Sequence, residues 1–459
     1  MSKKKKVERE QFASRIGFLL ISAGCAIGLG NVWRFPFITG KYGGAAFVLV
    51  YLAFLLLLGL PIMVMEFAIG RAGHLNIAGS MRALEPVNSK WHVFGYLGII
   101  GNVILMMFYT TVAGWGLAYF YKELTGAFNG LSPEEIGTAF GMFLGNTGEL
   151  IFWMALVVIL GFFVCSLGLQ AGVERISKFM MSGMFLMLLI LVFKAVTLPG
   201  ASAGLNFYLK PDFSNFNWEG VYAAMGQAFF TLSLGIGSMA IFGSYIGKER
   251  SLTGEALDVM ALDTLIALLA GLVIFPTAFA FGVDAGSGPG LVFVTLPNIF
   301  NQMIGGQLWG ILFFMFLTFA AMTTVIAVFE NIMAFTIDEW GWERKKAALR
   351  NGIGIFIFSL PCVLGFGPLS GFAPLGEGTM VLDLEDFILS NNLLPIGALV
   401  FVLFCTRRPG WGWNSFIEEA DTGTGFKFPK WLKPYVRSVL PLIILVVLIK
   451  GWMDVLILR

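Results

Sequence analysis

Runs of apolar residues long enough to cross a lipid bilayer recur along almost the whole chain. A membrane-spanning helix needs about 20 apolar residues, because the hydrocarbon core is about 30 Å thick. Eleven such runs occur, at about residues 12–39, 44–70, 92–121, 150–168, 174–198, 218–246, 257–283, 306–337, 347–366, 381–405 and 436–457. Backbone groups find no water inside a bilayer, so runs of this length must form helices. The sequence therefore predicts an all-α polytopic membrane protein with helices 1 to 11.

Composition excludes several other classes of protein. Charged residues make up 13% of the 459 residues and hydrophobic residues 57%, whereas soluble domains carry about 25% charged residues. This excludes an ordinary soluble enzyme and a disordered chain. All four cysteines lie in or beside apolar runs, which argues against a disulfide framework or a zinc site. Nucleic-acid binding has no support, because the basic residues sit in short loops between the runs.

Lys and Arg are unequally shared between the loops, and this sets the expected orientation. With a cytoplasmic N-terminus, the loops on that side carry seventeen Lys and Arg, whereas the opposite loops carry few, among them Lys122 and Lys210. Basic residues favour the cytoplasmic side. We therefore expect a multi-pass protein of the cytoplasmic (inner) membrane, with the N-terminus inside and the C-terminus outside. The first run lacks a small-residue cleavage site and is too long for a signal peptide, so we expect it to remain as a helix.

Helices 1 and 6 each contain a Gly-x-Gly pair near mid-membrane. The pairs are Gly28–Gly30 in SAGCAIGLGNVWRFP and Gly235–Gly237 in GQAFFTLSLGIGSMAIFG. Glycine costs about 1 kcal/mol in a helix interior, so each pair indicates a broken helix. Such interruptions at matching positions of two five-helix halves indicate the binding site of a transporter. The glycines alone would equally fit close helix packing.

Polar residues inside the predicted spans favour the transporter, because they are costly in hydrocarbon and are usually functional. They are Asn31, Arg34, Glu66, Gln227, Thr231, Ser233, Asp263, Thr323 and Thr324. Apart from Arg34, these residues offer hydroxyl, amide-carbonyl or carboxylate oxygens, hard donors that suit an alkali cation rather than zinc. Asp263 is the lone carboxylate of ALDTLIALLAG, and such a group must hold a proton or a cation. For Thr323 and Thr324, hydrogen bonding to their own helix is an equally good explanation.

With these motifs the chain resembles the neurotransmitter:sodium symporter family, in particular its bacterial eleven-helix amino-acid transporters. The resemblance covers about residues 8–405 and rests on REQFASRIGF, GLGNVWRFP, YGGAAFVLVYL, LPIMVMEFAIGR, GQAFFTLSLGIG and AAMTT. It implies the five-plus-five inverted-repeat symporter fold, with discontinuous helices 1 and 6 and an added eleventh helix. The implied organisation is a cytoplasmic tail at 1–10, repeats at 11–200 and 201–405, and a cytoplasmic loop with helix 11 at 406–459.

The resemblance further implies two sodium ions and one amino acid. The first ion would be held with the substrate carboxylate by Ala26, Asn31, Thr231 and Asp263. The second would be held by Gly24, Ile27, Ala320, Thr323 and Thr324. The substrate would contact Ala26, Leu29, Gly30, Leu105, Tyr109, Phe230, Thr231, Ser233, Ile236, Thr324 and Val328. This largely apolar set implies a neutral side chain, and glycine at position 28, where monoamine carriers have aspartate, implies an amino acid.

Gates and supporting residues are implied in the same way. The outer gate would comprise Arg34, Asp386 and, as a lid, Phe230. The inner gate would comprise Arg9, Asp338 and Tyr245. Glu66 would accept backbone N–H groups of the broken helix 6 or else be a protonated structural carboxyl, and Gln227 would support the site.

Two departures from the family pattern carry their own predictions. Asp263 stands where many relatives have asparagine, and Ala267 where chloride-dependent relatives have serine. We predict that the carboxylate of Asp263 balances the charge of sodium, so that chloride is not needed. Ser182 and Gly183 in helix 5 stand where relatives often have a proline, which leaves open whether this helix unwinds.

The sequence thus predicts sodium-coupled symport of a neutral, hydrophobic L-amino acid by alternating access. The alternatives are a proton-coupled or exchange transporter on the same scaffold, and a membrane receptor that binds an amino acid without moving it. An enzyme is not expected, because the chain offers no constellation of His, Cys or paired carboxylates for catalysis. The choice of amino acid, the ion stoichiometry and the oligomeric state stay open.

Overall fold

The computed structural model describes residues 10–214, 216–283 and 290–457. These residues form helices and loops, with no β-strand among them and a single isolated bridge between Arg250 and Thr424. Within the described ranges, nine helices are long and apolar enough to cross a membrane, and a bent pair makes a tenth. The predicted all-α membrane architecture is confirmed.

The spans lie close to the predicted runs. Helices 1 to 5 are Arg15–Ala26 with Gly30–Lys41, Ala45–Gly73, His92–Leu124, Thr147–Ser166 and Leu169–Val196. Helix 6 is Trp218–Thr231 with Ser238–Gly243. Helices 7 to 11 are Leu252–Ala280, Gly306–Trp340, Arg344–Leu364, Val381–Thr406 and Lys430–Met453. Shorter helices in the loops are Ile77–Leu84, Pro133–Gly145, Ala201–Leu209, Leu296–Gln302 and Trp413–Asp421.

Helices 1 and 6 are both interrupted, as predicted. Helix 1 bends by 55° at its break, where Ile27 has extended backbone. Helix 6 is interrupted over residues 232–237, where φ is 50° at Ser233, 97° at Gly235 and 73° at Gly237. Positive φ is unfavourable for a residue with a Cβ, so the two glycines permit this turn at low cost.

Burial places helix 8 at the centre of the molecule and helix 11 at its edge. In their most apolar windows, 78% of helix 8 is buried but only 28% of helix 11. A helix that is apolar on all sides and buried belongs to the interior of a large bundle. Side chains of helix 8 can therefore contact the breaks in other helices, whereas helix 11 presents a broad face to lipid.

Helix 5 is regular at Ser182 and Gly183, the point where the sequence leaves unwinding open. It begins with a π-helical turn at Leu169–Glu174 and continues as an α-helix over Arg175–Val196. Ser182 and Gly183 lie inside this α-helix. In this conformation helix 5 is therefore continuous at that point.

Candidate functional site

The break in helix 1 leaves backbone groups that bind side chains of neighbouring helices. Thr324 Oγ1 of helix 8 lies 3.1 Å from the carbonyl oxygens of both Gly24 and Ile27, which share its one hydroxyl hydrogen. The N–H of Leu29 donates to the hydroxyl of Tyr109 on helix 3 at 3.0 Å. Backbone groups freed at membrane depth need such partners, so helices 3 and 8 hold the break in place.

A cluster of oxygen atoms surrounds Asp263, which is fully buried on helix 7. Its Oδ1 accepts a hydrogen bond from Asn31 Nδ2 at 2.8 Å, and its Oδ2 from the Thr231 hydroxyl at 3.1 Å. Asn31 Nδ2 also donates to the Asp263 carbonyl oxygen at 3.1 Å. These partners are neutral amide and hydroxyl groups from the two broken helices. The oxygens of this cluster are the Asp263 carboxylate, the Thr231 hydroxyl and, 3.4 Å from that hydroxyl, Asn31 Oδ1. They combine one formal negative charge with hard donors, which suits an alkali cation.

A second group of oxygen atoms lies between helices 1 and 8. Thr324 Oγ1, besides its two bonds to helix 1, lies 3.5 Å from the Ala320 carbonyl oxygen. Thr323 Oγ1 donates to the same carbonyl at 2.9 Å. A Cβ added at Gly24 would lie 3.2 Å from the Cβ of Thr323, so the two helices pack closely here. Thr323 thus bonds to its own helix, while Thr324 also reaches across to helix 1.

A narrow cavity, which we call the central cavity, adjoins both helix breaks. Its volume is about 20 Å³, roughly the room for one water. Eight predicted substrate residues line it: Ala26, Gly30, Leu105, Tyr109, Phe230, Ser233, Ile236 and Thr324. A Cβ added at Gly28 would lie 2.3 Å from the Tyr109 hydroxyl and 2.6 Å from Thr324 Oγ1. Glycine at position 28 therefore keeps open the polar end of this cavity.

Three predicted substrate residues do not line the central cavity. Leu29 borders a different cavity, although its N–H reaches Tyr109. The hydroxyl of Thr231 bonds to Asp263 instead. Val328 is fully buried on helix 8, one turn beyond Thr324 on the same face, and is not part of the wall.

The wall also contains residues that sequence reasoning did not assign to it. Leu389 and Leu394 of helix 10 line the central cavity. The resemblance points to helices 1, 3, 6 and 8, and an apolar residue in an apolar run carries no signal of its own. Cys25 of helix 1, whose position beside the glycine pair already suggested a place near the substrate, also lines the cavity.

A larger cavity, here called the far cavity, opens on the side of the molecule opposite the start of helix 1. Its volume is about 580 Å³. Gly30, Tyr109 and Phe230 border both cavities, so the two aromatic rings separate them. The guanidinium carbon of Arg34 lies 4.3 Å from the centre of the Phe230 ring, a favourable cation–π geometry.

The predicted outer-gate residues line the far cavity without pairing. Arg34 and Asp386 both border it, but within the described part of the chain the two form no ion pair. Asp386 Oδ1 instead accepts a hydrogen bond from the Ser390 hydroxyl at 2.6 Å. The cavity therefore stays open between them.

The predicted inner-gate residues lie on the side where helix 1 begins. Tyr245 donates its hydroxyl hydrogen to Glu330 Oε1 at 3.1 Å. Asp338 Oδ2 accepts a hydrogen bond from the Asn76 N–H at 2.7 Å. Arg9 lies outside the described residues.

Ion pairs that the sequence did not reveal also tie this side together. Glu330 is fully buried on helix 8 and pairs with Arg344 of helix 9 at 2.8 Å. Arg344 also contacts Glu10, at 3.2 Å, and Arg15 at the start of helix 1 pairs with Glu255 of helix 7 at 2.9 Å. In sequence, Arg344 was one of a run of loop charges that indicated only topology. The start of helix 1 is thus fastened to its neighbours while the far side is open.

Glu66 and Gln227 bond to backbone groups at the two breaks. Glu66, fully buried on helix 2, accepts a hydrogen bond from the Gly235 N–H at 2.6 Å. Gln227 Nε2 donates to the Gly30 carbonyl oxygen at 3.2 Å. Helix 2 thus supports the break in helix 6 through Glu66, and helix 6 supports the break in helix 1 through Gln227.

Replacing Glu66 with alanine should lower stability, because it leaves the Gly235 N–H buried without this acceptor. Such a loss costs about 1–3 kcal/mol, which we expect to appear as a fall in melting temperature of several degrees for detergent-solubilised protein. Glu66→Gln keeps an acceptor and should recover much of this loss. The exposed Glu219 of helix 6 provides the control Glu219→Ala. Equal melting temperatures for wild type and Glu66→Ala would refute the supporting role.

Comparison with known proteins gives a consistent result. The chain matches the sequence model of the Sodium:neurotransmitter symporter family over residues 9–131 and 138–457. The bacterial protein YhdH of Bacillus subtilis, described as an uncharacterized sodium-dependent transporter, is 36% identical over 456 residues, covering 97% of this chain and 98% of that protein. The sodium- and chloride-dependent taurine transporter of Bos taurus is 28% identical over 488 residues, covering 95% of this chain and 77% of the relative.

A solved structure shares the whole architecture. The crystal structure of MhsT in complex with L-phenylalanine matches with a TM-score of 0.86 at 39% sequence identity, covering 96% of this chain and 100% of that one. The symporter fold that the family resemblance implies is thus confirmed. The chain belongs to the sodium:neurotransmitter symporter family, a family of transporters rather than enzymes.

Proposed function

We propose that this protein carries a neutral, hydrophobic L-amino acid into the cell together with sodium, by alternating access. The observation that carries the proposal is the meeting of two broken helices at one cavity, beside a buried carboxylate and a second oxygen cluster. Similarity to MhsT, crystallised with L-phenylalanine, and to relatives named sodium-dependent transporters supports it. The repeats would be 11–200 and 201–405, and the loop charges favour a cytoplasmic N-terminus and an external C-terminus in the inner membrane.

The two oxygen clusters are the sites that we assign to sodium. One ion would bind at Asp263 with Asn31, Thr231 and the Ala26 carbonyl, in reach of the substrate carboxylate. The other would bind at Thr323 and Thr324 with the carbonyls of Gly24, Ile27 and Ala320. Hydroxyl, carbonyl and carboxylate oxygens are hard donors, and sodium is here a transported substrate that leaves with the amino acid.

The amino acid would place its carboxylate at the polar end of the central cavity. The N–H groups of Leu29 and Gly30 begin the second half of helix 1, where the helix dipole favours an anion, and the Tyr109 hydroxyl lies beside them. The apolar side chains of Leu105 and Ile236 border the same cavity. The polarity of the remaining wall would therefore favour a neutral, hydrophobic side chain.

Coupling follows from the shared carboxylate. Because the first sodium ion would touch the substrate, each ligand strengthens the binding of the other, typically by 1–3 kcal/mol. The membrane potential adds about 2.3 kcal/mol of driving force per charge per 100 mV.

Alternating access requires the two sides of the protein to open in turn. Pairing of Arg34 with Asp386 over Phe230 would close the far side. Release of the ion pairs around Arg344 would then open the side where helix 1 begins.

Uptake into proteoliposomes tests the function. We expect an inward sodium gradient to drive accumulation of a radiolabelled hydrophobic amino acid above its external concentration, and choline in place of sodium to abolish it. A competition panel of twenty amino acids would then identify the substrate. Uptake unaffected by choline would instead indicate a proton-coupled or exchange transporter, and binding without accumulation would indicate a receptor.

Chloride should have no influence on transport. The fixed carboxylate of Asp263 would balance the charge of the bound sodium, and Ala267 offers no hydroxyl for an anion. We expect initial uptake rates to agree within about twofold when gluconate replaces chloride at constant sodium. Loss of uptake in gluconate would remove this role of Asp263.

A further inference from the structure

Helix 10 contributes two residues to the wall of the central cavity, and both lie at a local change in helix type. Leu389 and Leu394 line the cavity and are 1% and 2% exposed. Between them helix 10 forms a π-helical turn over Leu389–Leu393 and then continues as an α-helix over Leu394–Thr406. Single π turns within α-helices occur frequently at functional sites.

The π turn decides which face of helix 10 meets the cavity. An α-helix turns by about 100° per residue, so residues five apart lie about 140° from each other around its axis. In a π turn the hydrogen bond joins residues five apart, and here the Leu394 N–H donates to the Leu389 carbonyl oxygen. The two leucines are therefore stacked on one face, which a regular α-helix would not allow.

The polar side chains of this turn are held away from the cavity. Asn392 Nδ2 donates a hydrogen bond to the Phe387 carbonyl oxygen at 3.0 Å. The side chain thus supplies a donor to a backbone acceptor in this distorted segment. Asn392 Oδ1 accepts a hydrogen bond from Trp452 Nε1 of helix 11 at 2.8 Å. A Cβ added at Gly451 would meet Asn391 Nδ2 at 2.5 Å. Helix 11 thus anchors the polar residues and leaves the leucines to the cavity.

Two glycines bring helix 10 close enough to reach the broken part of helix 6. A Cβ added at Gly397 would lie 1.7 Å from the Gly235 carbonyl oxygen, and one at Gly235 would lie 2.0 Å from the Leu394 carbonyl oxygen. The two backbones are therefore in direct contact at the turn that carries Ile236. This contact sets Leu394 beside the apolar part of the wall.

We propose that Leu389 and Leu394, aligned by the π turn of helix 10, limit the size of the side chain that the transporter accepts. The inference rests on the proposed function and adds helix 10 to the specificity-determining elements. The two leucines complete an apolar wall with Leu105 and Ile236. Shortening either leucine enlarges this end of the cavity, and enlarging either one fills it.

The test compares affinities for a large and a small hydrophobic amino acid. In sodium, we expect Leu389→Ala and Leu394→Ala each to raise the ratio of the affinity for tryptophan to the affinity for valine by about tenfold. A change of this size is typical when a hydrophobic pocket gains or loses the volume of a methylene group. Leu389→Phe should shift the ratio the other way. Leu393→Ala is the matched control, because Leu393 belongs to the same turn but does not line the cavity.

The outcomes separate this inference from the function on which it rests. A shift in Leu389 and Leu394 variants, absent in Leu393→Ala, supports it. An unchanged ratio in these variants, while wild type binds amino acids in sodium, overturns it and leaves the function intact. Wild type that binds no amino acid in sodium overturns both. If an alanine variant shows no melting transition and is therefore unfolded, the same affinity ratio is measured for Leu389→Val and Leu394→Val, for which we expect a smaller shift.

Discussion

Sodium-dependent binding of the amino acid should be lost when Asp263 is replaced by alanine. The substitution removes the formal charge of the cluster and leaves the Asn31 amide and the Thr231 hydroxyl without their shared carboxylate. Bound sodium would lose this counter-charge, and breaking a buried ion pair costs about 3–5 kcal/mol, so we expect the affinity in sodium to fall by about 100-fold or more. Scintillation proximity binding of a radiolabelled amino acid, with sodium varied against choline, measures it.

Two further variants show whether the loss of affinity comes from the missing sodium ligand at position 263, from the missing charge, or from unfolding of the protein. Asp263→Asn keeps an oxygen donor and should lose less affinity than Asp263→Ala. Asp212→Ala removes an exposed carboxylate from a loop and should leave binding unchanged. A melting transition like that of wild type shows that a variant is folded. Normal sodium dependence in folded Asp263→Ala would remove this residue from the ion site.

A methyl group at position 28 should have an effect of similar size, this time on the amino acid itself. The Cβ of Gly28→Ala would lie 2.3 Å from the Tyr109 hydroxyl and 2.6 Å from Thr324 Oγ1, in the space proposed for the carboxylate. Overpacking costs about 1–3 kcal/mol, and a lost hydrogen bond to a charged group about 1.5–3 kcal/mol. Together these predict about a 100-fold or greater loss of affinity.

Gly226→Ala is the matched control for this substitution. Gly226 lies in helix 6, close to its break, and a Cβ there meets nothing within 4 Å. We expect wild-type binding for Gly226→Ala in the same equilibrium assay. Folded Gly28→Ala with undiminished affinity would show that the carboxylate binds elsewhere.

Sequence alone predicts the spans and the breaks because each has a strong local cause. Membrane thickness fixes the length of an apolar run, and glycine pairs at mid-membrane weaken a helix wherever they occur. The polar residues Asn31, Thr231 and Asp263 stand out against an apolar background, and the structure brings them within hydrogen-bonding distance of each other.

The wall of the central cavity was harder to predict, since its residues are apolar and lie in apolar helices. The π turn in LSNNL directly precedes Leu394–Pro395, and proline has no N–H to donate to the turn before it. Which side chains the turn presents to the cavity also depends on contacts between segments, such as that of Asn392 with Trp452 of helix 11, which a linear sequence does not display. For the same reason Leu389 and Leu394 went unrecognised in the sequence.

Reciprocal titration most directly tests the claim that one sodium ion and the amino acid share a single cage at the two helix breaks. The dissociation constant of the amino acid is measured at low and at saturating sodium, and that of sodium without and with the amino acid. Linkage requires the two shifts to be equal, and we predict a shared factor of about 5–150. An affinity for the amino acid that is the same in sodium and in choline would contradict the account.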